Sequence, residues 1–539
     1  MASTSEMHKA RLPKNAAHSA PITVALDPAS PAPLQRQLYQ AMRTAILEGR
    51  LGPGARLPGT RALARSLEVS RTTVSLAFDQ LRAEGYLRGA LRQGTFVAAV
   101  LPDVHLTATP GPVLGTRHEH PTHAIGLSRR GARLATLEVT SSPLLGTTGA
   151  RAFRMGTPAM DHLPMQLWGR LLARRWRRLT ATQLSYAEPA GYAPLRAAIA
   201  AYVGPARAVR AEEGQVIVVS GAQQAFDLCA RVLLDEGDVV AVENPGYRGA
   251  RAAFLASGAS LAPVPVDREG LDVRVLEALA SGEGAPPPRL ACVTPSHQFP
   301  LGVTLSAARR LALLAWARRH DAWVVEDDYD SEYRFRGRPL PSLQGMDRAG
   351  RVLYVGTFSK TLFPGLRLGY LIVPPALVDA FAHARGTVDR HPAALEQAVL
   401  ADFLAEGHFA RHVRRMRALY AERQDVLLHL LARAGAPLEV APVDAGMHLV
   451  AYLPPGMHDA AVAARLLAAG VVATPLSALA VAPARATASA TAPGQPIERD
   501  AVHDNPHASP RGALLLGFAG FDEAAMAHGV AELCRAVAP

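Results

Sequence analysis

Of the 57 basic side chains in this 539-residue chain, only Lys9, Lys14 and Lys360 are lysines; the rest are arginine. Lys9 and Lys14 lie in a tail with no helical or strand period. Lys360 stands alone in the body, within the apolar, small-residue string YVGTFSKTLFPGLRLGY. General surface charge has thus been given to arginine, and a lysine that survives such a drift is expected to be needed as an amine. Guanidinium cannot form an imine, so Lys360 is the candidate Schiff-base lysine.

An imine-forming cofactor with a pyridine ring and a phosphate asks for a lysine, a carboxylate at the ring nitrogen, phosphate donors and a ring platform. The strand-like string AWVVEDDYD offers the carboxylate. Alternation along a strand puts Asp327 and Tyr329 on one face and Glu326 and Asp328 on the other. An acidic strand end equally suits a metal, but no supporting His or Cys cluster follows it. In SGAQQAF, the residues Gly221, Ala222 and Gln223 open a helix whose free N–H groups favour an anion. Thr357 and Ser359 flank Lys360, and Arg367 adds a fixed positive charge seven residues on. Tyr247, in ENPGYRG, is either a platform for the ring or a packed core tyrosine.

A second constellation lies near the N-terminus. Residues 32–99 hold ten Arg against four acidic residues, a basic excess that implies a polyanionic partner. Leu34, Leu38, Met42, Ala45 and Ile46 share one face of a helix that ends near Gly49. Thr60 is expected to cap a short helix and Ser70 a second one, with Val74, Ala77, Phe78 and Leu81 as its buried face. Two short strands follow, joined through Arg92-Gln93-Gly94. Three helices and a two-stranded wing make a winged helix-turn-helix. Its reading helix would present Ser70, Arg71, Thr72, Thr73 and Ser75 to bases and phosphates, with Arg61 as a phosphate clamp and Arg92 and Gly94 at the wing tip.

Between and beyond these constellations, the chain divides into a polar tail (1–31), the basic module (32–99) and a Pro/Gly/Thr-rich linker without periodicity (100–150). From 151 to 539, apolar strands such as VIVVS, DVVAVE and VLYVGTFS alternate with helical segments. That pattern indicates a mostly parallel sheet covered on both faces. A low-complexity stretch, 482–510, interrupts the last part and reads as a mobile insert. His118, His120 and His123 cluster in the linker without cysteine partners, or acid partners beyond Glu119, at metal spacing, and no metal is expected there. Cys229, Cys292 and Cys534 are widely spaced, as for reduced core thiols. The start has no hydrophobic signal region and no apolar run is long enough for a membrane span, so a soluble cytoplasmic protein is expected.

The string LPGTRALARSLEVSRTTVSLAFDQLRAEGYLRGALRQGTFVA resembles the GntR-type winged helix over its full length, although Gly59 stands where that family usually has a small polar residue. Downstream, the phosphate turn, stacking aromatic, TPSHQFPLG, acidic strand end and lysine strand follow the order of fold-type-I aminotransferases. Together they resemble the MocR/GabR subfamily of GntR regulators, with EDDYDSEYRF and GTFSKTLFPGLRLGY as the most specific strings.

The resemblance implies an N-terminal winged helix (α+β) joined by a linker to an α/β aminotransferase-like domain with a smaller C-terminal α+β subdomain. It implies pyridoxal 5'-phosphate (PLP) as cofactor, with Lys360 forming the internal aldimine, Asp327 at the pyridine nitrogen and Tyr329 at the ring hydroxyl. Tyr247 would stack on the ring and Arg367 would reach the phosphate. His297 or Gln298 stands where the family has an asparagine touching the ring oxygen, and Tyr186 would reach a partner subunit's phosphate. It further implies a head-to-tail homodimer that binds double-stranded operator DNA and responds to PLP or to an amine or amino-acid effector.

One departure bears on the effector. Aminotransferases hold the substrate carboxylate with an arginine in a C-terminal strand. Here that strand reads RGALLLGFAG and places Leu515 at the matching position, with Arg511 four residues too early. Ordinary transamination is therefore not the leading expectation, because a leucine cannot neutralise a carboxylate. A working aminotransferase with a DNA-binding domain is the second reading, and a repressor whose large domain is a relic is the third.

Overall fold

The computed structural model describes residues 22, 24, 26–90, 94–101, 126–137, 152–181, 183–282, 286–337, 340–481 and 511–538. Arg92, the histidines at 118, 120 and 123, the 482–510 insert and most of the N-terminal tail lie outside them. The chain separates into two units, 1–123 and 124–539.

The first unit opens with three helices, α1 (Leu34–Leu47), α2 (Thr60–Ser66) and α3 (Arg71–Ala83), followed by an antiparallel pair, β1 (Leu87–Ala90) and β2 (Gly94–Val97). Leu38, Met42, Val74, Ala77, Phe78 and Leu81 form its fully buried centre. Helix α3 starts where it does because Ser70 Oγ accepts the Thr73 backbone N–H at 3.0 Å. Helix α2 departs from the expected start: Gly59 is the N-cap and Thr60 is already inside the helix, with no side chain capping it.

The stretch expected to be aperiodic linker contains a helix, α4 (Arg129–Thr136), capped by Ser128 Oγ accepting the Gly131 N–H at 3.0 Å. Part of its anchorage comes from tertiary contact, since Arg133 pairs with Glu236 of the second unit's body at 2.7 Å.

The second unit continues through α5 (Met165–Trp176), α6 (Ala193–Arg207), β3 (Val216–Val219), α7 (Ala222–Leu233), β4 (Val239–Asn244) and α8 (Arg248–Ser257). Its remaining strands are β5 (Ser260–Asp267), β6 (Gly270–Leu271), β7 (Pro288–Val293), β8 (Trp323–Asp328), β9 (Val352–Thr357) and β10 (Gly369–Ile372). These build an eight-stranded sheet in the order β3-β10-β9-β8-β7-β4-β5-β6. Strands β9, β8, β7, β4 and β5 run parallel, while β10 is antiparallel to both of its neighbours. Every residue of β3 and β9 is buried, as expected of strands covered on both faces.

A smaller four-stranded antiparallel sheet has the order β11-β12-β14-β13, formed by β11 (Glu439–Val440), β12 (His448–Tyr452), β13 (Thr474–Pro475) and β14 (Ala513–Gly517). The fold is thus the winged helix plus fold-type-I architecture that the sequence implied. Among the described residues, no helix is long and apolar enough to cross a membrane.

Candidate cofactor site and DNA-reading surface

In an open α/β sheet, ligands gather beyond the carboxyl ends of the strands, where the loops converge. The singled-out residues of the second unit follow that rule. Gly221 follows β3, Tyr247 follows β4, His297 follows β7, Asp327 is the next-to-last residue of β8 and Lys360 lies three residues past β9. Lys360, Asp327, Tyr329, Tyr247, Ala222, Gln223, Thr357, Ser359 and Arg367 all line one cavity of about 260 Å³.

Strand alternation sorts the acids of β8 into two environments. Glu326 accepts the backbone N–H groups of Leu343 and Gln344, both at 2.9 Å. Asp328 is paired with Arg207 at 2.6 Å and accepts the Tyr354 hydroxyl. Both are thereby fully used in holding the sheet. Asp327 faces the cavity instead, and its buried Oδ1 has no hydrogen-bond partner among the described residues. Burial, then the nearby Asp328, Asp330 and Glu243 carboxylates, push Asp327 up to about 8, with Lys360 opposing. A buried carboxyl so short of positive charge is suited to a protonated ring nitrogen.

Lys360 Nζ donates to the Gly156 carbonyl oxygen at 3.0 Å. Burial lowers its pKa while Asp330 and Asp327 raise it, and the net shift is downward, toward the neutral amine that attacks a carbonyl carbon. Gly156 sits at φ +70°, and a Cβ there would lie 2.4 Å from Lys360 Nζ.

The anion end is built by a turn and a helix. Gly221 takes φ +99° as the N-cap of α7, and no side chain caps that helix. Arg367 packs over this turn and donates to the Ser220 carbonyl oxygen at 2.5 Å. The Gln223 side chain is occupied, donating to Gly249 O at 2.9 Å, so its backbone N–H is what it offers an anion. Ser359 and Thr357 are joined through a 3.2 Å bond from Ser359 N–H to Thr357 Oγ1. Helix N–H groups, a guanidinium and two hydroxyls make a donor set suited to a phosphate.

Between the candidates on TPSHQF, His297 is the one turned to the site. Its Nδ1 lies 2.9 Å from the Tyr329 hydroxyl and 3.0 Å from Asp330 Oδ2. Gln298 turns away and donates to Glu243, Pro245 O and Phe299 O. Tyr186 is 76% exposed, sits outside the cavity and packs edge-on to His391 beneath Arg390. Leu515 is fully buried in an apolar cluster with Phe299 and Leu479. Arg511 points elsewhere, pairing with Glu439 and donating to Leu453 O.

Sequence reasoning missed Gly156, Met155, Phe299, Asp330, Pro364, Met447 and His448 as cavity residues. Asp330 was within reach, since it belongs to the same EDDYD string. Strand alternation assigns it away from Asp327, but β8 ends at Asp328 and the alternation ends with it. Phe299 and Pro364 lie within the singled-out strings TPSHQFPLG and GTFSKTLFPGLRLGY, and the others carry no local signal.

On the first unit, Arg61, Ser70, Arg71 and Thr72 are exposed, Thr73 and Ser75 are half-buried, and Gly94 is exposed at φ +110°. Arg61, Arg65 and Arg71 line one groove together with Glu68. Ser70 and Thr73 spend their hydroxyls partly on each other, 2.8 Å apart. Leu76 is 46% exposed on α3.

Residues 157–498 match the family described as aminotransferase class I and II, and residues 34–97 match the bacterial regulatory proteins of the gntR family. The chain is 42% identical over 510 residues to the probable rhizopine catabolism regulatory protein MocR of Rhizobium meliloti, spanning 94% of each chain. It is 33% identical over 431 residues to the HTH-type pyridoxine biosynthesis transcriptional regulator PdxR of Corynebacterium glutamicum, covering 80% of this chain and 86% of that one. Among solved structures, the alpha-aminoadipate aminotransferase LysN of Thermus thermophilus, complexed with N-(5'-phosphopyridoxyl)-L-leucine, matches with a TM-score of 0.64. The identity is 30%, over 76% of this chain and 97% of that chain.

Proposed function

The chain belongs to the MocR-type GntR transcription regulators, DNA-binding proteins with an aminotransferase-like domain, and from that membership we propose that it binds PLP at Lys360 and lets the state of that site control its DNA binding. The observation that carries the cofactor reading is Asp327: a buried carboxyl oxygen without a partner among the described residues, facing the cavity that holds the one lysine of the body. Bound PLP supplies an electrophilic carbon that reacts with amines.

Each neighbouring side chain then has a task. Asp327 holds a proton at the ring nitrogen. Tyr329, oriented by His297, would lie toward the ring oxygen, and Tyr247 would serve as the ring's platform. The backbone N–H groups of Ala222 and Gln223, with Gly221, Thr357, Ser359 and Arg367, hold the phosphate. Arg71, Thr72, Thr73 and Ser75 read the major groove, while Arg61, Ser70, Arg92 and Gly94 position the duplex.

The working form is a cytoplasmic, head-to-tail homodimer. Trp176, Leu184 and Tyr186 are 65%, 71% and 76% exposed, an apolar surface that supports a second copy covering it. Tyr186 would then reach the partner's phosphate. In a dimer of winged helices, a change at the cofactor site is read out as a change in half-site spacing on DNA.

The test is a titration of cofactor-free protein onto the DNA upstream of its own gene, with and without PLP. A cofactor-dependent change in affinity or footprint supports the reading, with PLP itself as a signal. Specific binding indifferent to PLP directs the search to an amine effector. Steady conversion of an amino acid with a keto acid would favour the aminotransferase reading instead.

A further inference from the structure

The charge around the cavity is unevenly placed. Among the described lining residues, only Lys360 and Arg367 are cations, and Arg367 is committed to the Ser220 carbonyl and the Gly221 turn. The Lys360 end carries two buried carboxyl groups, Asp327 and Asp330. Asp330 lies against His297 Nδ1, with both oxygens within 3.1 Å.

The remaining wall is apolar. Met155, Phe299 and Met447 line it, with Leu515 and Leu479 packed behind Phe299. His448 is also at this wall, its Nε2 2.9 Å from Pro300 O; a carbonyl only accepts, so Nε2 is the donor. Burial pushes that ring down to about 4, so it is neutral near pH 7. An anionic group on a ligand placed here would lose its water, and among the described lining residues no cation is free to pair with it. A ligand ammonium, by contrast, meets Asp330.

We propose that the effector is an amine carrying no carboxylate or other anionic group, its ammonium drawn to Asp330 and its body lying against the Phe299–Leu515 wall. This rests on the PLP reading of the same site and narrows the ligand class within it. The rival anchor for a carboxylate is Arg154, half-buried, next in the chain to Met155 and without an ion pair among the described residues. It does not line the cavity, although its positive charge is felt at Lys360, where it adds to burial in lowering the amine's pKa.

The full-length protein loaded with PLP would be titrated with matched pairs: 2-aminoethanol against glycine, 4-aminobutan-1-ol against 4-aminobutanoic acid, and 2-phenylethylamine against phenylalanine. Two readouts are followed, the visible absorption of the bound cofactor and the affinity for upstream DNA. In at least one pair, the member without the carboxylate is expected to bind about 100-fold more tightly. Asp330→Asn is expected to weaken that member about tenfold, and Leu515→Arg to move preference toward its carboxylated partner.

Equal or tighter binding of the carboxylated members, lost in Arg154→Ala, would overturn the proposal and make Arg154 the anchor. So would silence of both readouts across every pair. The wild-type comparison decides even where a variant fails to fold. Failure of the PLP reading is separately visible, as no Lys360-dependent absorption band before any amine is added.

Discussion

Lys360 Nζ and the carbonyl oxygen of Gly156 are 3.0 Å apart, although 204 positions separate the two residues in the chain. The glycine is required twice over, by its φ of +70° and by the 2.4 Å that would separate an added Cβ from Nζ. Gly156→Ala must therefore displace the lysine or distort the segment. PLP affinity, measured by equilibrium dialysis, is expected to fall at least about tenfold, with the visible band shifted or lost. Lys360→Ala should abolish the band altogether while leaving DNA binding by the first unit measurable.

Asp327 yields a pH prediction. Its folded pKa of about 8 exceeds the ordinary value of roughly 4, so the cofactor-free folded protein keeps a proton that the unfolded chain releases. The stability from this group is full below about pH 4 and is lost as pH rises toward 8. Asp327→Asn removes the titration. Cofactor-free variant and wild type, compared by thermal melting, should diverge in favour of the variant as pH rises from about 5 to 8.5, by ~1–3 kcal/mol at the upper end. The same variant should bind PLP more weakly. A stability difference that stays flat with pH would refute this account of Asp327.

The neighbouring acid should behave in the opposite way. Asp328 neutralises Arg207 at 2.6 Å, with both side chains almost wholly buried. Asp328→Asn leaves that guanidinium without its charge partner and is expected to cost about 3–5 kcal/mol in urea denaturation. Protein that does fold should retain its cofactor absorption. Two adjacent carboxylates thus separate into a ligand-facing group and a structural one.

On the first unit, Arg71→Ala is expected to weaken operator binding by about 1–3 kcal/mol and relax preference at one base pair. Ser70→Ala loses the 3.0 Å cap on Thr73 N–H, so it should lower the stability of the unit by ~1 kcal/mol and reduce affinity on all sequences alike. Footprinting on a set of single-base operator variants distinguishes the two patterns.

Period and residue type made the winged helix, the mostly parallel sheet and the split between Asp327 and Asp328 legible in the sequence. These depend on local geometry, the 3.6-residue turn of a helix and the two-residue repeat of a strand. Lys360 was legible by elimination, as the one amine in an arginine-rich body. Packing across the chain decided the rest. It turned His297 rather than Gln298 to Tyr329, put Asp330 in the cavity wall after β8 ended, and put a helix at Arg129–Thr136 within the linker. It also brought Gly156 under the lysine and set Leu515 behind Phe299. None of these follows a local period, because each is fixed by which distant segments share a wall once the sheets have formed.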